Sequence, residues 1–145
     1  MAKSMEQHRE RALCRSFFPV VEQRLKMKIT ITSEFTAIIT EHRKTKSYLH
    51  RFNLADNPTC PCNEGVQTPE HIIYECKILE SQRSSLIRHM TARDRNWHRD
   101  NDELVANYLN AFSRFIKSID FQKFILTSKR PFHSINSNIC RTLLL

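Results

Sequence analysis

Apolar residues recur at three- and four-residue steps along two stretches of the second half of this chain. The first set is Leu79, Leu86, Ile87 and Met90, with Arg83 at the same spacing among them, and positions 104, 108, 109, 112, 115 and 116 form the second. This spacing places side chains on one face of an α-helix, so each set predicts an amphipathic helix. The second set predicts one long helix that begins at Asn101 or Asp102 and ends near Ile119. The polar stretch 91–101 between the sets is expected to be a loop.

The first half of the chain also has helical patterns, with one ambiguous segment. Residues 4–18 predict a helix that Pro19 ends. A helix capped by Thr32 or Ser33 is expected to run to about residue 42, and residues 46–53 predict another turn or two. Residues 20–31 fit either a helix or, near 25–31, a short strand, because the apolar residues there alternate.

A low glycine content favours helices over hairpins throughout the chain. Among 145 residues there is a single glycine, whereas hairpin turns use glycine heavily. The sequence therefore predicts a mainly α fold: a small helical domain with one metal-binding knuckle, the cysteine- and histidine-rich segment 60–76. We expect a basic helical segment over 1–54 and a knuckle with two amphipathic helices over 55–126. The aperiodic tail, 127–145, is expected to be disordered.

The knuckle is a set of three cysteines and one histidine within 17 residues. Cys60, Cys62, His71 and Cys76 follow the pattern C-x-C-x8-H-x4-C. Thiolate and imidazole are ligands that suit Zn²⁺, and four protein ligands make a closed tetrahedral site. This pattern predicts one structural zinc ion, because a closed shell leaves no position for an activated water.

The residues between these ligands are consistent with a turn followed by a helix. Gly65 is expected to supply a turn conformation with positive φ. Thr68 is placed to cap a helix in which Pro69 is the first residue. His71 and Cys76 are five residues apart, about 140° around an ideal α-helix. The helix must therefore tighten, or end near Cys76, if both residues are to reach one metal ion.

A second interpretation of the four residues involves no metal. Free cysteine packs as a small hydrophobic residue. The three cysteines would then be reduced and half-buried beside a helix-capping histidine.

The positive charge of the chain lies mostly outside the knuckle. The net charge is +8; residues 55–91 carry 3 Lys and Arg against 5 Asp and Glu, whereas residues 1–54 carry 11 against 5. A basic chain favours polyanionic partners such as nucleic acid. We expect phosphate contacts from a cationic stretch just before the knuckle, with one aromatic residue available to stack on a base. The candidate residues are Arg43, Lys44, Lys46, Arg51 and, for stacking, Tyr48. The alternative for this stretch is a solvated loop with Tyr48, Leu49 and Phe52 in the core.

The sequence offers no catalytic motif. It has no glycine-rich phosphate loop, no G-x-S-x-G, and its acidic cluster near Asp102 fits a helix start. No run of apolar residues reaches membrane-spanning length. The odd number of cysteines with ligand-like spacing indicates a reducing compartment, the nucleus or cytoplasm. We expect neither an enzyme nor a small-molecule substrate.

Three short strings resemble the C-terminal tail of insect non-LTR retrotransposon polyproteins of the jockey and I type. They are KSYLHRF at 46–52, PTCPC at 58–62 and TPEHIIYEC at 68–76. In such polyproteins this tail follows a reverse transcriptase and a ribonuclease H domain. The resemblance covers about residues 12–124, and the knuckle is its most specific part.

The resemblance implies a fragment of a replication protein without its catalytic parts. By this resemblance Cys60, Cys62, His71 and Cys76 bind zinc, and the ancestral role is binding of element RNA or target DNA. This chain contains neither an aromatic-x-Asp-Asp polymerase motif nor the acidic set of a ribonuclease H. Two alternatives are a zinc-scaffolded module that presents the helices around Leu86 or Phe112 to a protein partner, and a functionless remnant of an element.

Overall fold

Helices form the regular structure of residues 2–94, 97 and 100–125, the part of the chain that a computed structural model describes. Within these ranges the only β pairing is an isolated bridge between Thr59 and Val66. The predicted mainly α fold is therefore confirmed. The helices are α1 (Ala2–Phe17), α2 (Val21–Lys26), α3 (Ser33–Thr40), α4 (Lys46–Arg51), a π-helical turn (His71–Glu75), a 3₁₀ turn (Lys77–Leu79), α5 (Glu80–Asp94), α6 (Asn101–Asn107), α7 (Leu109–Ser118) and α8 (Phe121–Ile125).

Two threonines begin helices of the first half by capping a backbone amide. The hydroxyl of Thr32 accepts a hydrogen bond from the N–H of Phe35 at 3.1 Å and begins α3, as predicted. The hydroxyl of Thr45 accepts from the N–H of Tyr48 at 3.2 Å and begins α4. Each bond satisfies one of the amides that lack a partner within the first turn.

The ambiguous segment 20–31 is partly helical, and of its two alternatives the short strand near 25–31 is wrong. α2 covers Val21–Lys26 and buries none of its residues. The chain then runs extended, but it pairs with no other strand in the part that the structure describes. Met27 and Ile29 pack against the core, while Ile31 is half exposed. The alternation of apolar and polar residues therefore arises because this extended segment lies along the surface of the core.

The long helix predicted from residue 101 or 102 to about 119 is two helices. α6 ends at Asn107 and α7 begins at Leu109, because Tyr108 leaves helical geometry at φ −128° and ψ 22°. The apolar stripe continues across the break, so periodicity alone did not reveal it. The predicted loop at 91–101 is also too long, since α5 extends to Asp94.

One hydrophobic core brings together residues from both halves of the chain. Phe112 of α7 stacks on Phe17 of α1 with ring centroids 6.0 Å apart and meets Phe35 of α3 edge-on at 6.1 Å. Ile72 and Ile73, beside the metal-ligand candidate His71, are fully buried in the same core. Burial of this kind holds the cysteine and histidine string against the helices.

Two sequence predictions concern membranes and the end of the chain. None of the helices in the described ranges is long and apolar enough to cross a membrane. The predicted disordered tail, residues 127–145, lies outside the described residues.

Candidate metal centre

A short hairpin presents the first two cysteines. The N–H of Cys60 donates to the carbonyl of Gly65 at 2.8 Å, and the N–H of Gln67 donates to the carbonyl of Pro58 at 2.9 Å. The N–H of Asn63 in turn donates to the carbonyl of Cys60 at 2.8 Å and closes the turn between them. These bonds fix the backbone on which both sulfur atoms are carried.

The left-handed residue of this hairpin is Asn63, not Gly65 as the sequence predicted. Asn63 has φ 61°, whereas Gly65 has no positive φ. Asparagine adopts this conformation more readily than most residues, since its short polar side chain can bond locally. A Cβ atom added at Gly65 would meet the Nδ1 atom of His71 at 3.6 Å, an ordinary contact.

The second pair of candidate ligands lies on a helical turn that Thr68 caps. The N–H of His71 donates to the hydroxyl of Thr68 at 3.2 Å, which confirms the predicted cap. Pro69 and Glu70 form the first helical residues, and a π-helical turn follows over His71–Glu75. The helix ends there, as expected for a site that uses Cys76.

Within this turn the helix is wider than an α-helix, not tighter as the first predicted alternative required. The N–H of Cys76 donates to the carbonyl of His71 at 2.7 Å, an i to i+5 bond. A turn closed by such a bond holds one residue more than an α-helical turn. Residues five apart therefore return to nearly the same side, and both side chains point to one place.

The four side chains converge on a cluster that could hold a metal ion. One ligand atom from each of Cys60, Cys62, His71 and Cys76 lies within 4.8 Å of every other. The sulfur atoms of Cys60 and Cys76 are 3.7 Å apart, and the sulfur of Cys62 is 3.2 Å from Nε2 of His71. Cys62 is partly exposed, whereas the other three residues are buried.

The side chain of Glu75 engages the other nitrogen of the histidine ring. Its Oε2 atom lies 3.4 Å from Nδ1 of His71. A carboxylate on the far nitrogen of an imidazole fixes the ring orientation and the tautomer, which leaves Nε2 to act as a ligand. This role of Glu75 was not predicted; it follows from the position of Glu75 four residues after His71.

The thiols of the cluster differ in acidity without metal. Burial raises the pKa of Cys60 to about 12. Burial also acts to raise the pKa of Cys62, but hydrogen bonds, first that from the backbone N–H of Glu64, outweigh it and lower the pKa. Because a metal ion binds thiolates, metal binding must displace the proton of Cys60.

Two buried polar residues that sequence reasoning missed surround the cluster. Arg83 donates from Nε to the carbonyl of Ile73 at 2.6 Å, and from Nη2 to the carbonyls of Ile72 and Cys76 at 3.1 and 2.9 Å. It thereby satisfies the carbonyls at the end of the π-helical turn from α5. Gln67 donates from Nε2 to the sulfur of Cys60 at 3.7 Å.

The side chains of the cationic stretch predicted to bind nucleic acid differ in how deeply they are buried. Lys46 and Tyr48 are buried, and the Tyr48 ring packs 4.9 Å from His42 and 4.6 Å from Phe52. This placement of Tyr48 matches the alternative in which it belongs to the core. Phe52 itself is 47% exposed.

The remaining cations of this stretch are half-buried, and two of them lie in ion pairs. Lys44 Nζ lies 2.5 Å from Glu34, and Arg51 Nη1 lies 3.3 Å from the buried Glu41. Arg43 adopts a positive φ of 72°, and its Nη2 atom is buried with no hydrogen-bond partner in the part of the chain that the structure describes.

More exposed cations lie on other segments, where the sequence had predicted no contact with nucleic acid. Arg11 and Arg15 are exposed one turn apart on α1, and Lys26 and Lys28 are exposed at and after the end of α2. Two further exposed cations, Arg114 and Lys117, lie on α7.

Comparison of the chain with protein-family models, with curated proteins and with solved structures finds no match.

Proposed function

We propose that this chain is a non-catalytic module that a structural zinc ion holds folded and that binds nucleic acid. The observation that carries the zinc assignment is the spacing of the ligand atoms. Zn–S bonds of about 2.3 Å at tetrahedral angles separate two sulfur atoms by about 3.8 Å, and a sulfur and a nitrogen by about 3.6 Å. The corresponding distances here are 3.7 Å and 3.2 Å.

The donor set also favours a structural over a catalytic ion. Three thiolates and one imidazole fill a tetrahedral shell, and three of the four residues are buried. Zinc would fasten the hairpin that carries Cys60 and Cys62 to the turn that carries His71 and Cys76. Thiolate ligands persist in a reducing compartment, so we place the protein in the nucleus or cytoplasm.

Metal content tests this part of the proposal directly. Protein purified without chelator is expected to contain one zinc ion per chain. Stripping the metal should expose three thiols that do not react in the loaded protein. Zinc-free protein in which all five cysteines titrate at the same rate would overturn the assignment.

Nucleic acid is the partner that the charge distribution supports. Residues 1–54 carry 11 Lys and Arg against 5 Asp and Glu, and exposed cations of this part lie on α1 and at and after the end of α2. We assign the main phosphate contacts to Arg11, Arg15, Lys26 and Lys28, with Arg43, Lys44 and Arg51 beside the knuckle as further candidates. The resemblance to a retrotransposon tail, which the three strings at 46–76 carry, supplies a source for such an activity.

Salt dependence and paired charge reversals test the partner. A fluorescent single-stranded RNA and a DNA duplex of equal length are titrated with zinc-loaded protein between 50 and 200 mM salt. We expect log affinity to fall linearly with log salt. The double variant Arg11→Glu/Arg15→Glu should lose at least tenfold in affinity for the preferred nucleic acid.

The matched control is Arg114→Glu/Lys117→Glu, which makes the same change in net charge on α7. We expect it to lose no more than about threefold, because exposed charges act over roughly a Debye length. Affinity that is independent of salt, or equal losses in the two double variants, would contradict the assigned surface.

The alternative is a protein-interaction module built on the helices around Leu86 or Phe112. Both side chains are almost completely buried in the chain's own core. These two side chains therefore pack inside the chain and are not available to a partner.

A further inference from the structure

Gln67 connects the metal cluster to the first turn of α4. Its side chain is completely buried. The Nε2 atom donates to the sulfur of Cys60 at 3.7 Å, and the Oε1 atom accepts from the backbone N–H of Lys46 at 2.9 Å. The carbonyl of Gln67 also accepts from the N–H of Ser47 at 3.3 Å.

These bonds satisfy backbone groups that α4 cannot satisfy itself. The first amides of a helix have no carbonyl partner within the helix. Thr45 caps the N–H of Tyr48, while Gln67 takes those of Lys46 and Ser47. All three amides at the start of α4 are thus paired, two of them by a residue that lies 21 positions away from Lys46 along the chain.

The chemistry of the sulfur atom determines which way the Gln67 amide points. A thiolate bound to a metal ion has no proton and can only accept a hydrogen bond. It therefore holds the NH₂ group of Gln67, and the Oε1 atom must face the opposite way, toward Lys46. A charged acceptor also strengthens this bond relative to a neutral one.

We infer that Gln67 is a positioning residue through which metal binding orders the start of α4, and with it the cationic stretch 43–51. This inference rests on the proposed zinc site. It adds that the position of Arg43, Lys44 and Arg51 depends on the metal, although none of them is a ligand.

Amide exchange of zinc-loaded protein, measured residue by residue by NMR, tests the inference with two variants. Gln67→Met keeps the side-chain volume and removes both polar ends. We expect the amide of Lys46 to exchange at least tenfold faster in this variant, while zinc remains at one ion per chain. Gln67→Glu keeps an acceptor for Lys46 and removes the donor to Cys60. It should retain the protection of Lys46 and bind zinc at least tenfold more weakly.

The control is Gln23→Met on the exposed surface of α2, for which wild-type exchange and zinc affinity are expected. If Lys46 keeps its protection in zinc-loaded Gln67→Met, or if Gln67→Glu binds zinc as tightly as wild type, the inference is wrong. Failure of the proposed zinc site would look different, because the wild-type protein itself would then contain no metal.

Discussion

The backbone N–H of Cys76 donates a hydrogen bond to the carbonyl of His71, five residues earlier, at 2.7 Å. This bond makes the turn π-helical and brings two candidate ligands to one side of the chain. A local departure from α-helical geometry therefore coincides with the cluster of side chains that could hold a metal ion.

Loss of one ligand should unfold the protein. Binding free energies on the order of 10 kcal/mol hold comparable zinc modules together, so Cys76→Ser is expected to abolish the cooperative thermal transition and most of the helical signal. Far-UV circular dichroism and zinc analysis measure both effects. Cys140→Ser is the control, since it removes a cysteine that is not one of the four. A Cys76→Ser variant that melts like the wild type would contradict a structural role for the metal.

Removal of the Arg83 guanidinium should lower the free energy of unfolding even when zinc is bound. It donates to the carbonyls of Ile72, Ile73 and Cys76, and Arg83→Ala leaves these buried acceptors without that donor. We expect a loss of about 2–4 kcal/mol in the free energy of unfolding, measured with urea. Arg88→Ala, on the exposed side of the same helix, should change it by less than about 0.5 kcal/mol. Equal losses in the two variants would show that the three carbonyl bonds contribute little.

The hairpin turn should respond to substitution at Asn63 more than at Gly65. Asn63→Ala places an alanine at φ 61° and is expected to cost about 1 kcal/mol, whereas Asn63→Gly should be neutral or stabilising. Gly65→Ala should be tolerated, because its Cβ has room beside His71. Thermal melting of zinc-loaded protein ranks the three variants. The opposite ranking, with Gly65→Ala the most damaging, would mean that the left-handed position lies elsewhere.

His42 should make stability depend on pH. Burial and the adjacent Arg43 lower its pKa below the ordinary value of 6.5, although Glu10 Oε1 lies 3.7 Å from its Nδ1. The unfolded chain then binds a proton more readily than the folded one, so stability is lost as pH falls below about 6.5. His42→Gln should lose less stability than wild type between pH 7.5 and 5.5 in urea unfolding. Parallel curves for the two proteins would count against a partly buried neutral imidazole at His42.

Zinc affinity should rise with pH. The pKa of Cys60 is about 12 without metal, so its thiol is protonated at neutral pH and must release that proton on binding. Competition with a chromophoric chelator should show affinity increasing about tenfold or more between pH 6.5 and 7.5. Affinity that is constant over this range would mean that no protonated thiol is a ligand.

The sequence predicted those helix ends that depend on short-range chemistry. Thr32 and Thr68 lie immediately before apolar periodic stretches, and both cap the helices expected of them. The break at Tyr108 was missed because the apolar stripe continues through it. The strand near 25–31 was wrong because alternation cannot show whether a partner strand exists.

The cluster of candidate ligands was predictable from residue type and spacing, whereas the residues that surround it were not. Arg83 lies at a core-facing position between Leu79 and Leu86, and nothing in the sequence showed which groups its side chain would bond. Gln67 bonds to Lys46, 21 positions away, so its role exists only once the chain has folded. The wider turn between His71 and Cys76 could be anticipated as a geometric conflict, but not as the π-helical form that resolves it.

The widened turn has a consequence for recognising relatives of this protein. A π-helical turn accommodates one residue more than an α-helical turn, so a chain that lacks one residue between His71 and Cys76 could present both ligands from an ordinary α-helix. The gap of four residues is then one of two lengths compatible with the same metal geometry. Searches for related chains should accept a histidine and a cysteine separated by either three or four residues, because a pattern fixed at four would discard homologues that differ by this single deletion.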